Sequence, residues 1–121
     1  MDSLAKSNTK LISMLMHSRT QAHIFHFRTR SYSEHKAHEE YYLGIVALLD
    51  TYTETYQGQY GILDGYSSKG FEQDPGKALS YYNSLLTTVS KTLVPDKVLE
   101  NLLQGIQEHI SRTIYKLKNL K

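Results

Sequence analysis

His26-Phe27-Arg28-Thr29-Arg30-Ser31-Tyr32-Ser33-Glu34-His35-Lys36-Ala37-His38-Glu39 is the stretch on which the fold turns. Ser31 with Glu34 three residues on is a capping-box pattern, so a helix is expected to begin there. The apolar-periodic run before it must then end near Arg28. Two helices joined by so short a turn pack antiparallel, and residues equally distant from the turn lie level. His26 is then level with His35, and His23 with His38 about one turn deeper, which gives two rungs of paired imidazoles.

Outward from this turn the periodicity predicts four helices, over about 3–28, 32–58, 75–93 and 95–119, in a single domain spanning 1–121. The first carries Leu4, Leu11, Leu15, Ala22 and Phe25 at helical spacing. The second carries Tyr42, Ile45, Val46, Leu49 and Tyr56, and is expected to stop near Gly58 or Gly61. Asp74 and Pro75 read as the cap and first position of the third, striped by Ala78, Tyr81, Tyr82, Leu85, Val89 and Leu93. The fourth opens at Pro95. Its Leu99, Leu102, Leu103, Ile106, Ile110, Ile114 and Leu117 form the cleanest repeat in the chain. Between the second and third helices, Tyr60 to Asp74 reads as a loop longer than most helix–helix connections. At ~3.4 Å per residue it could reach on the order of 45 Å. A helix of about 25 residues measures roughly 38 Å. The loop is thus long enough to run the full length of a bundle, which favours an all-α, ferritin-like four-helix bundle with a long crossover over a plain up-down arrangement.

With 121 residues, 40% hydrophobic and 21% charged, the composition is that of an ordinary globular domain. A formal net charge of +2 is too balanced for a nucleic-acid binder, and Arg112, Lys116, Lys118 and Lys121 read as cations at a helix C-terminus. DNA binding is therefore expected to be weak at most. No cysteine is present, so disulfide and thiol chemistry are excluded. The apolar run Leu11 to Met16 is too short to span a bilayer, and a cytoplasmic protein with no membrane contact is expected. No phosphate loop, nucleophile–base pair or nucleotide fingerprint occurs.

The chemistry-bearing residues are histidines and acids. Imidazole nitrogen suits iron, zinc and copper, and carboxylates suit harder cations. With His35 as zero on the second helix, Glu39 falls at about 40°, Asp50 at about 60° and Glu54 at about 100°. They share one flank, beside the expected apolar stripe. Yet His35 and Asp50 are about 22 Å apart along the axis and cannot hold one ion within one chain. Two such helices packed antiparallel about a two-fold axis would bring the histidine end of one to the acidic end of the other. The expected site is thus shared between subunits, in at least a two-fold dimer formed through the first and second helices. Its candidate metal ligands are His23, His26, His35, Glu39, Asp50 and Glu54. His17 and His109 are expected to be satisfied polar residues, and the tyrosines of the second helix to fill a subunit interface with ring buried and hydroxyl paired.

From Phe25 through Gly61 the chain resembles the Dps proteins, the miniature ferritins. His26-Phe27 resembles that family's His-aromatic pair. His35 followed by Glu39-Glu40-Tyr41-Tyr42 resembles its second block, and Asp50 with Glu54 its last pair. The run Ser31-Tyr32-Ser33-Glu34-His35-Lys36 is still more similar to a group of short ferritin-like proteins of tailed bacteriophages. The Dps resemblance implies an inter-subunit site that binds ferrous iron, or zinc or another first-row divalent metal, and a ferroxidase activity with iron sequestration in a bacterial or phage-infected cell. It also leaves two choices for one ligand. The aromatic neighbour favours His26, whereas the family's interval to His35 is met by His23. The third and fourth helices lack the Glu-x-x-His pair of larger ferritins, so a second site within one subunit is not implied. The alternative reading is a non-catalytic helical assembly protein, such as a phage structural or accessory component, that retains the fold.

Overall fold

The computed structural model describes residues 2–121 and is all-α. Its helices are α1 (Ser3–Arg28), α2 (Tyr32–Tyr60), α3 (Ala78–Ser90, preceded by a 3-10 turn over Pro75–Lys77) and α4 (Lys97–Asn119). Side-chain caps open three of them, since Asp2, Ser31 and Asp96 each accept from a backbone N–H three residues on. Half of the expected capping box forms at Ser31. Its own backbone N–H goes to Thr29 Oγ1 rather than to Glu34. Gly61 ends α2 with φ at 102°, a conformation open to glycine, whereas Gly58 is passed through without a break. The third helix ends at Ser90, short of the expected 93, because the backbone tightens as Lys91 and Thr92 donate to carbonyls three residues back. The fourth begins two residues after Pro95, where Asp96 supplies the cap and proline disfavours helix in the residue before it.

Contacts at the helix ends fix the directions. Leu93 N–H donates to Ser7 Oγ (2.9 Å), and Asn8 Nδ2 donates to the Leu93 carbonyl (2.9 Å), so α3 ends where α1 begins. Tyr60 donates to Asp96 (2.6 Å) at that same end, and Lys116 pairs with Glu40 at the other. Residues 61–74 meet α1 in ascending order. Ser67 bonds Ser13, Gly70 bonds His17, Glu72 bonds Gln21 and Gln73 bonds Arg28. The segment thus climbs along α1, and α3 enters the bundle from the same end as α2. In packing, α2 lies against α1 and α4, and α3 against α4 and α1. No helix among the described residues is long and apolar enough to cross a membrane.

Leu11, Leu15, Ala22 and Phe25 of α1 are fully buried, as are Leu99, Ile106 and Ile110 of α4. The buried stripe of α2 is rotated from the expected one. It comprises His38, Tyr41, Ile45, Leu49, Tyr52 and Tyr56, while Tyr42 is half-buried and Val46 lies at the surface. The tyrosines Tyr41, Tyr52 and Tyr56 therefore belong to the chain's own core, where an interface between subunits was expected to hold them. Tyr41 pairs with Ser18 (2.7 Å), and Tyr52 donates to Asn8 Oδ1 (2.6 Å), so each ring is buried without stranding its hydroxyl.

Gly44 marks where α2 meets α4 most closely. A Cβ there would stand 2.5 Å from His109 Cε1. That imidazole cannot swing freely, since it donates through Nε2 to the Tyr41 carbonyl (3.0 Å) and stacks on the Tyr41 ring. Gly44→Ala is therefore expected to destabilise the fold by about 1 kcal/mol, although alanine gains about that much in helix propensity. In a His109→Ala background the same change is expected to stabilise. Urea unfolding of the four proteins in the cycle measures the reversal.

Candidate metal centre

The α1–α2 turn is closed by two histidines that bind each other's backbone. His26 Nδ1 lies 2.8 Å from the His35 carbonyl oxygen, and His35 Nδ1 lies 2.9 Å from the His26 carbonyl oxygen. A carbonyl only accepts, so in both rings the proton of this contact sits on Nδ1. The rings stack with centroids 3.7 Å apart and planes 19° from parallel. The reciprocal bonds follow from the sequence. The turn 29–31 is short enough that the last residues of α1 and the first of α2 lie side by side; the His26 carbonyl is in the last turn of α1, where carbonyls lack helical partners, and the His35 carbonyl accepts the imidazole through its second lone pair. With Nδ1 tied down, each ring keeps Nε2 as its coordinating nitrogen, held in a fixed tautomer by a carbonyl partner. That is how metal-ligating histidines are oriented.

The deeper rung does not form. His23 lies on the outer surface of α1, stacked on Phe27 (4.4 Å) and Tyr42 (4.3 Å), with its ring 5.9 Å from that of His26. His38 turns the other way. It is fully buried, with Nδ1 2.9 Å from the Tyr82 hydroxyl and Phe25 beside it, and its Nε2 has no partner. Burial, and then the nearby His26 and His35, push its pKa down to about 4. Level residues need not share an azimuth: position 38 falls on the buried stripe of α2, and position 23 falls outside the Ala22–Phe25 stripe of α1.

Glu39 is bonded to Lys36 (2.8 Å), which holds its carboxyl below the usual range, with smaller contributions from His26 and His35. It is the carboxylate next to the imidazole pair. Asp50 and Glu54 are exposed, rather than bordering the packed face, because the core stripe of α2 is rotated away from them. Neither forms an ion pair among the described residues. No three His, Asp or Glu side chains among the described residues converge on a point that could hold an ion. His17 and His109 are both satisfied. His17 bonds Tyr81 (2.8 Å) and the Gly70 carbonyl (2.9 Å), and His109 bonds the Tyr41 carbonyl.

Sequence reasoning missed the inward-facing His38–Tyr82 pair. The spacing of Tyr41 three residues after His38 and four before Ile45 was its one available signal. Residues 26–117 match a family described as Family of unknown function (DUF5856), a span that begins at His26 and takes in the rest of the candidate ligand set except His23. No curated protein and no solved structure matches the chain.

Proposed function

This chain belongs to the DUF5856 family, whose function is unknown, and for it we propose ferrous-iron binding and oxidation at a site shared by two subunits of a ferritin-like bundle. The observation that carries the reading is the reciprocal His26–His35 clasp, which sets both tautomers and leaves each ring's Nε2 as the nitrogen open to a metal. Two imidazole nitrogens with carboxylates form a donor set suited to iron, and also to zinc. In this reading His26 and His35 bind from one subunit, and Asp50 and Glu54 from the other. Glu39 is the carboxylate able to bridge, and His23 packs against the site as an aromatic neighbour.

The surface around these residues supports self-association. Phe27, Tyr32 and Leu43, on α1 and α2 near the candidate ligands, are 70%, 76% and 67% exposed, apolar surface that a second subunit would cover. If two α2 helices cross antiparallel with the axis near Leu43, position 35 of one faces about position 51 of the other. The exposed Leu43 then sits at the centre of the contact, and the acids Asp50 and Glu54 sit opposite the imidazoles. Ferrous iron is the substrate. Each ion gives up one electron, and a peroxide that accepts two is reduced to water or hydroxide. The reading also carries a cytoplasmic location, where ferrous iron and peroxide meet.

Anaerobic ferrous titration, followed by addition of peroxide, tests it. Saturable binding near one or two irons per chain, rapid appearance of ferric absorbance, and loss of both in His35→Ala and in Asp50→Ala are expected. A folded dimer that neither binds nor oxidises iron would leave the helical assembly protein as the function.

A further inference from the structure

On the far side of α1 from the clasp, a second site takes shape. Lys6, Lys10, Ser13 and His17 recur at intervals of four, three and four, which puts them on one face of the helix. The ascending segment 61–74 lies over that face and leaves a groove of about 370 Å³ between itself, α1 and α3. That is within the size of small-molecule sites. Met14 and the Tyr81 ring make its apolar wall, and Lys6, Lys10 and Lys69 stand around it. Lys69 lies 5.9 Å from the centre of the Tyr81 ring. Three ammonium groups thus face one carboxylate, Asp64, and none of the three lysines forms an ion pair among the described residues.

Thr9 and Ser13 of α1 line the groove beside these lysines. Thr9 is only 6% exposed and its hydroxyl is shut off from the groove's open space, so it shapes the wall rather than meeting a ligand. Ser13 accepts from Ser67 N–H (3.1 Å), which leaves its hydroxyl proton free to be given to an acceptor. His17 at the end of the groove is fully used. Its Nε2–H donates to the Gly70 carbonyl and its Nδ1 bonds Tyr81, which makes it a strut between the segment and α3 rather than a ligand-binding group.

We propose that this groove binds a small amphipathic anion, with its apolar body on Met14 and Tyr81 and its carboxylate or phosphate head among Lys6, Lys10, Lys69 and the Ser13 hydroxyl. The chemistry follows from the lining. Unpaired ammonium groups and a hydroxyl donor with a free proton select an acceptor-rich anion. The thioether and aromatic wall selects a ligand with an apolar portion. The site is separate from the clasp, since His17 and His26 are about 14 Å apart along α1.

The test uses metal-free protein with carbon-13-labelled methionine methyls, titrated with octanoate, octyl phosphate, octanol and inorganic phosphate. Saturable shifts of the Met14 methyl are expected with octanoate or octyl phosphate, and the tighter of the two identifies the head group. Octanol and inorganic phosphate should each bind at least about tenfold more weakly. Lys10→Gln/Lys69→Gln should weaken binding of the anion by about tenfold while helical circular dichroism is retained. His35→Ala should leave it unchanged, so this result stands or falls apart from the metal reading. Octanol binding as tightly as octanoate would reduce the groove to an apolar crevice. Equal binding of inorganic phosphate would show that the apolar wall selects nothing. No saturable shift, or anion binding indifferent to the lysine changes, would overturn the proposal outright.

Discussion

Acidifying the metal-free protein from pH 7.5 to pH 4 is expected to remove about 3 kcal/mol of stability through His38 alone, a fully buried group whose pKa lies at about 4 against 6.5 in the unfolded chain. Phe25 from α1 and Tyr82 from α3 face the ring, and neither is charged near neutral pH. Nothing stands by to receive a second ring proton. Protonation would bury a cation whose Nε2–H has no acceptor, with His26 and His35 as the nearby groups that oppose it. The folded pKa is depressed, so between pH 6.5 and about 4 the unfolded chain binds more protons than the folded one. Stability is therefore complete above pH 6.5, falls as the pH drops through that window, and levels off below it. Glu39 and Glu40 also have lowered pKa values, but they lose stability only below the ordinary carboxylate range, so the upper half of the window belongs to the histidine. Urea unfolding at half-unit steps measures the slope. The double variant His38→Phe/Tyr82→Phe removes the titrating ring without stranding the tyrosine hydroxyl, and should lose the part of the slope between pH 6.5 and 4.5 that His38 supplies. A double variant that falls as steeply as the natural protein would place the acid sensitivity elsewhere.

That a histidine sits in the core was not legible from its sequence neighbours, and the reason applies to α2 as a whole. In α4 every buried position but Thr113 is aliphatic, and in α1 Leu11, Leu15, Ala22 and Phe25 mark the bundle-facing stripe although polar residues such as Asn8 and Gln21 are buried as well, so counting apolar residues at helical spacing finds the right face. In α2 the buried arc is carried largely by Tyr41, Tyr52, Tyr56 and His38, and the Tyr41 and Tyr52 hydroxyls and His38 Nδ1 find partners on α1 and α3. Aliphatic counting therefore gave weight to Val46, which lies at the surface, and turned the helix by about one residue. The ends of α1 and α2 were legible because capping chemistry is local, and the His26–His35 rung was legible because a short turn fixes which residues are level. Whether a level pair actually meets depends on azimuth, which the packing of α2 between α1 and α4 decides. The groove over Lys6, Lys10 and Thr9 was beyond the sequence altogether. It exists only because residues 61–74 fold back along α1, and bonds to side chains as distant as Ser13 and Gln21 set that path.

Mixing a His26→Ala/His35→Ala chain with an Asp50→Ala/Glu54→Ala chain is expected to restore metal binding that neither parent shows. Each parent should bind ferrous iron or cobalt more than about a hundredfold more weakly than the natural protein, because it lacks half of every ligand set. In a mixed dimer one site combines the two defects and is lost. The other takes its imidazoles from the second chain and its acids from the first, and is whole. Random assortment makes about half of the dimers mixed, so roughly a quarter of the natural number of sites should return. A pocket built within one chain would give no recovery at all, since no chain in the mixture carries both halves. Leu43 supplies the control for assembly. It is 67% exposed and lies where the two-fold axis would pass, so Leu43→Glu sets like charges against each other across the axis while leaving every ligand in place. That variant should sediment as a monomer and lose metal binding together with the dimer, with its helical circular dichroism intact. A Leu43→Glu monomer that still bound metal tightly would refute the shared site as surely as failed complementation, because it would show one protomer sufficing for an ion that His35 and Asp50, about 22 Å apart along a single α2, cannot reach together.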